Sequence, residues 1–104
     1  MKIEYVIESN EPKVLVDGEW NALSMFLETE SSNPHVRNHI GLKKKRKWMG
    51  NASTLCLISG SLFEVSTNLD LELENIEIHS KKLLELMSAW CDFENNRKPN
   101  VIHV

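Results

Sequence analysis

"STLCLISGSLFEVST", residues 53–67, decides the fold of this chain. Two apolar, β-branched and aromatic runs flank Gly60-Ser61, a two-residue connection of the Gly-X type that suits a type II′ turn. The spacing predicts a hairpin with arms at 54–59 and 62–67. The first arm is apolar on both faces, so an interior strand is expected. The second alternates, with Phe63 and Val65 on one face and Glu64 and Ser66 on the other.

More strands lie outward from this hairpin. "KIEYVIE" alternates Ile3, Tyr5 and Ile7 against Glu4, Val6 and Glu8, the pattern of a strand with one buried face. Pro12 is read as part of a turn, because proline donates nothing to a ladder. "KVLV" then makes a short strand ended by Asp17-Gly18. On the C-terminal side, Leu69, Leu71 and Leu73 share one parity and Asp70, Glu72 and Glu74 the other, until the apolar parity flips at Asn75 to Ile76 and Ile78. A period-2 strand flips only at a bulge or a break, so Asn75 is one or the other. Both readings present a row of carboxylates to solvent.

Two helices are expected. Trp20, Leu23 and Leu27 fall at helical spacing with Phe26 beside them, predicting a helix over 19–30 capped by Asp17. Ser80 is expected to cap a helix running to about Asn95, with Leu83, Leu84, Met87, Trp90 and Cys91 on its apolar stripe. Between these elements "SSNPHVRNHIG" opens with turn formers, and Pro34 allows a short helical turn that nothing in the segment fixes. The tail "RKPNVIHV" either docks as a late short strand or frays. The sum is a single α+β domain over residues 1–104, an antiparallel meander sheet covered on one face by two helices.

With 104 residues the chain buries roughly 60–70% of its unfolded surface, enough for one core without staples. Its apolar fraction of 41% excludes wholesale disorder. The N-terminus lacks an uninterrupted apolar region, and the longest apolar run, "LCLI", is far too short to span a bilayer. A cytoplasmic protein without membrane contact is expected. In that reducing compartment Cys56 and Cys91 read as small hydrophobes and not as a disulfide.

The net charge of −3 hides a segregation. Residues 1–30 carry seven acids and two lysines, residues 31–63 six Lys/Arg and no acid, and residues 64–104 eight acids and four bases. The basic segment peaks in Lys43, Lys44, Lys45, Arg46 and Lys47, followed at once by Trp48. Three readings stay open for that run: a solvated loop, a protein contact, or a polyanion grip in which the cations meet phosphates and Trp48 stacks on a base. The acids Glu64, Asp70, Glu72, Glu74 and Glu77 form the opposite patch, either a solvated face or a dock for a basic protein.

Catalytic signals are weak. His35 and His39 are spaced i, i+4, which on a helix sets two metal ligands on one face, but no carboxylate or cysteine accompanies them. There is no HExxH, P-loop, GxGxxG or GxSxG pattern. Neither an enzyme nor a cofactor is expected.

Residues 47–95 resemble small bacterial immunity proteins of contact-dependent growth inhibition and related polymorphic toxin systems. The features that carry the resemblance are "KWMGN" leading into the hairpin, the acidic "IEI" strand, and the helix that ends near an aromatic residue. The resemblance implies a cytosolic, non-catalytic protein that binds one cognate toxin domain, often a nuclease, in a 1:1 complex that blocks its active site or substrate surface. It carries over no residue roles. The toxin-binding acids named above follow from charge alone, since a nuclease that grips phosphate offers a basic cleft. The runner-up is a small nucleic-acid-binding or regulatory protein acting through Lys43–Trp48.

Overall fold

The computed structural model describes residues 1–69 and 72–104. Its elements run β1 (Lys2–Glu8), β2 (Glu11–Val16), α1 (Ala22–Glu30), α2 (Pro34–Leu42), β3 (Lys47–Met49), β4 (Ser53–Ser59), β5 (Leu62–Thr67), β6 (Ile76–His79), α3 (Ser80–Asn96) and β7 (Asn100–His103). The α+β class with antiparallel pairing holds throughout. The strands divide between two sheets, one of order β2-β1-β7 and one a meander of order β3-β4-β5-β6.

The first sheet is built on β1, whose Ile3 and Tyr5 are fully buried. Ser9 and Asn10 both take positive φ, the sign pattern of a type I′ hairpin turn. The turn therefore ends one residue before Glu11, and Pro12 sits inside β2 opposite Ile7. Proline is tolerated there because β2 is an edge strand. Its outer edge is partly blunted from α1, where the Glu28 carboxylate accepts from the Val14 N–H at 3.0 Å and from Trp20 Nε1 at 2.8 Å. The tail docks as the late strand: β7 pairs with β1 from Lys2↔His103 to Tyr5↔Asn100.

Helix α1 starts later than its apolar spacing suggests. Asn21 caps it, accepting from the N–H groups of Leu23 and Ser24 at 3.0 and 3.3 Å, while Ser24 Oγ accepts from the Asn21 N–H at 3.0 Å. This reciprocal box fixes the first turn. Asp17 serves the sheet instead, accepting from the Lys2 N–H at 2.8 Å from a left-handed turn position. Trp20 consequently lies outside the helix.

The second sheet has β4 in its interior and the predicted hairpin at its centre. Gly60 takes φ +50° and Ser61 does not go positive, as a II′ turn requires. A register shift between Leu57 and Ser59 inserts Ile58 as an extra residue. The acidic strand expected before Asn75 is not formed at residues 72–75, so Asn75 is no bulge and directly precedes the new strand β6. Asp70 and Leu71 lie outside the described residues.

Helix α3 begins at Ser80, one residue past its N-cap His79, which makes no side-chain cap bond; Ser80 is thus not the cap. Its buried apolar residues are Leu83, Leu86, Met87, Trp90 and Phe93, while Leu84 and Cys91 sit at the margin. One core joins the inward faces of both sheets to the helices. Tyr5 on β1 shows the join: its hydroxyl donates to the Leu86 carbonyl at 2.7 Å, and its ring packs edge-on to Trp90 at 5.7 Å and tilted to Phe93 at 5.9 Å. Burial pushes the Tyr5 phenol far up, with Cys91 adding to it.

Candidate functional site

Two surfaces concentrate exposed chemistry, and both belong to the second sheet. Its inner face carries Leu55, Phe63, Val65 and Ile78, all buried. Alternation then sends the neighbours outward. Across the four strands the register aligns Lys47, Cys56, Glu64 and Glu77 in one row. The row grades from a cation at the β3 edge to two carboxylates at β5 and β6. Cys56, Leu62, Glu64 and Ser66 are half-exposed, and Met49, Ile58, Glu77 and His79 are exposed. Thr54 on the same face is buried and bonded to Asn68 at one end of the sheet, while the side chains just named leave the rest open to solvent.

Glu64 and Glu77 stand directly opposite each other. Like charges in that relation destabilise a sheet unless a cation intervenes. The ion pairs among the described residues are Lys2–Glu4, Lys13–Glu8 and Lys82–Glu85, so none relieves them. Glu72 and Glu74 are exposed in the segment leading into β6. The structure thus brings Glu64 and Glu77 together on one face. Glu72 and Glu74 lie beside them in sequence but off the ladder, and Asp70 lies outside the described residues.

The basic run sits at the other margin. The short helical turn that Pro34 allows in "SSNPHVRNHIG" is a full helix, α2. Asn33 caps it, accepting from the His35 N–H at 3.0 Å, and Pro34 occupies the first turn. Val36 and Ile40, spaced i, i+4, are its buried residues. That spacing after an Asn-Pro start was the available signal for the helix. Lys43 ends it in the left-handed conformation, its N–H donating to the His39 carbonyl at 3.0 Å. Lys43–Lys47 are all exposed and make no ion pair among the described residues. The Leu57 N–H donates to the Arg46 carbonyl at 2.7 Å, pinning the loop to β4.

Trp48 is not a free stacking platform. It faces inward, T-shaped against Phe26 at 6.5 Å, with its ring folded over Gly50. Its remaining surface joins His35, Asn38, His39, Leu42, Lys44, Lys45, Lys47 and Met49 in lining a cleft of about 380 Å³. His39 packs its ring 6.0 Å from Phe63, and its buried Nε2 has no hydrogen-bond partner in the fold. Burial, and then the Lys45 ammonium, hold its imidazole below the ordinary histidine range.

No protein-family model, curated protein or solved structure matches the chain. What the surfaces do must therefore be argued from their geometry.

Other sequence candidates settle locally. His35 and His39 share α2, but among the described residues no group of three or more His, Cys, Asp or Glu side chains gathers as a metal site would need. Both cysteines are partly exposed and not core residues. Among the described residues no helix is long and apolar enough to cross a membrane. Asn68 was missed in the sequence. Its Nδ2 donates to the carbonyls of Gly50 and Ser53 at 2.8 and 3.2 Å, and its Oδ1 accepts from Thr54 Oγ1, locking the β3–β4 connection to the end of β5.

Proposed function

We propose that this protein is a non-catalytic binding protein of the immunity type, acting in the cytosol. It neutralises one cognate toxin domain by seating the acidic half of its open sheet face in a basic, phosphate-gripping cleft such as that of a nuclease. The single observation that carries this reading is the opposition of Glu64 and Glu77 on an open sheet face with no ion pair to either among the described residues. A fold has no structural use for two unrelieved carboxylates side by side on a ladder, whereas a basic partner supplies the missing charge. Glu72 and Glu74 extend the same negative field toward solvent, which speeds encounter and orients the partner. The half-exposed Leu62 and exposed Ile58 on the same face give the apolar contact that a stable interface needs.

The test is purification of the bound partner from native lysate after nuclease digestion, followed by an activity assay of that partner. The expected result is a basic toxin domain held 1:1, whose activity is lost on adding this protein. Glu64→Lys with Glu77→Lys should restore the toxin's activity while the protein stays folded. Full inhibition by that double variant would remove the acidic face from the interface. Absence of any toxin-like partner would remove the function.

A further inference from the structure

We propose that the cleft between α2 and β3 binds a nucleotide unit, its phosphates on Lys44, Lys45 and Lys47 and its base against Leu42, Met49 and the part of Trp48 left open. This site lies at the opposite margin of the sheet from the acidic pair and does not depend on the toxin-binding reading.

The lining sets the ligand's chemistry. Three lysines from four successive chain positions line one cleft of about 380 Å³, and no acidic residue lines it. They repel one another unless a compact anion of two or more charges sits among them. A phosphate group meets that need; the single, spaced carboxylates of a peptide do not. The helix dipole does not explain the arrangement, because its field fades within the last turn. Lys43 lies within that reach, while Lys45 and Lys47 lie beyond it.

The other wall is apolar. Leu42 is 61% and Met49 64% exposed, the two most exposed large apolar side chains among the described residues. Side chains of this type left open at the mouth of a cleft take a flat apolar body. Ligand pockets hold roughly 300–1,000 Å³, so this one has room for a single nucleotide and little more. Polar readout is present as well: Asn38, which lines the same cleft, is exposed.

The experiment is calorimetric titration of the protein at about 50 mM salt, where phosphate contacts are strong. The probes are ADP, UDP, inorganic pyrophosphate, a single-stranded RNA of about 12 nucleotides, and an oligoglutamate peptide. Binding of ADP or UDP at least tenfold tighter than pyrophosphate supports the site as one for free nucleotides. Binding of the RNA but not the mononucleotides supports it as one that reads a nucleotide within a strand. In either case Lys44→Gln with Lys45→Gln should weaken binding at least tenfold while the thermal midpoint stays in place, since both side chains are exposed. Equal affinity for pyrophosphate and ADP overturns the proposal, because the apolar wall would be idle. Binding of the peptide alone, binding of nothing, or an unchanged affinity in the double variant overturns it too.

Discussion

Glu64 and Glu77 oppose each other across the β5–β6 ladder, two carboxylates on the open face of the sheet with no cation paired to either among the described residues. Cross-strand pairs of like charge are destabilising by a few tenths of a kcal/mol to about 1 kcal/mol. Glu77→Gln should therefore raise the urea midpoint of the free protein. If the pair serves binding, the same substitution should weaken the complex with a basic partner. Stability and affinity moving in opposite directions is the signature of a functional carboxylate. A fall in both would mean that Glu77 holds the fold through a contact of its own.

Tyr5 ties the first sheet to α3. Its hydroxyl donates to the Leu86 carbonyl at 2.7 Å in a buried setting. Tyr5→Phe keeps the ring contacts with Trp90 and Phe93 and removes one hydrogen bond. Stability should fall by about 1 kcal/mol, read as a lower urea midpoint at unchanged slope. No loss would show that water readily takes the hydroxyl's place.

Asn21 and Asp17 separate two roles that the sequence assigns to one residue. Asn21→Ala removes the α1 cap and should cost about 1 kcal/mol. Asp17→Gly gives up the bond to the Lys2 N–H but relieves a left-handed position at φ +51°, so its net effect should be the smaller of the two. Urea midpoints of the two variants decide the order. The reverse order would make Asp17 the residue that organises the helix entry.

The legibility of this chain follows the strength of its periodicity. The β4–β5 hairpin was readable to its turn type because alternation and Gly60-Ser61 agree. α1 and α3 were readable from their apolar stripes, but their caps were not. Asp17 and Ser80 are as good capping residues as Asn21 by type; the local box with Ser24 selects Asn21, and the bond to the Lys2 N–H engages Asp17 elsewhere. α2 was obscured because polar residues fill its exposed face and only Val36 and Ile40 are buried. The division into two sheets was invisible because β7 returns to β1 from the far end of the chain, a pairing with no local signal. The charged residues of both candidate surfaces were legible as runs. That Glu64 meets Glu77, and that His39 joins Lys44 and Lys45, needed the register and the cleft.

Gly50 is required by a neighbour and not by its own backbone. A Cβ there would lie 2.4 Å from the Trp48 ring. Gly50→Ala should displace the indole from its seat beside Phe26. A loss of about 1–3 kcal/mol is expected from overpacking of this kind. Near-ultraviolet circular dichroism should change in the tryptophan bands while the far-ultraviolet signal holds. Unaltered near-ultraviolet spectra would show that the β3–β4 connection moves in place of the ring.

His39 gives the fold a pH dependence whose sign follows from its surroundings. Burial and the Lys45 ammonium both disfavour the imidazolium in the folded chain. The unfolded chain takes up a proton at this residue as the pH falls through about 6.5, while the native imidazole resists until lower pH. Within that window the unfolded state binds more protons, so stability rises with pH and is lost on acidification. Urea midpoints at about pH 7.5 and about pH 5.5 measure the slope, and His39→Gln isolates this residue's share of it. The wild-type protein should lose more stability on acidification than the variant. Equal losses would mean that the imidazole titrates in the fold as it does in the open chain, with Lys45 too well solvated to matter.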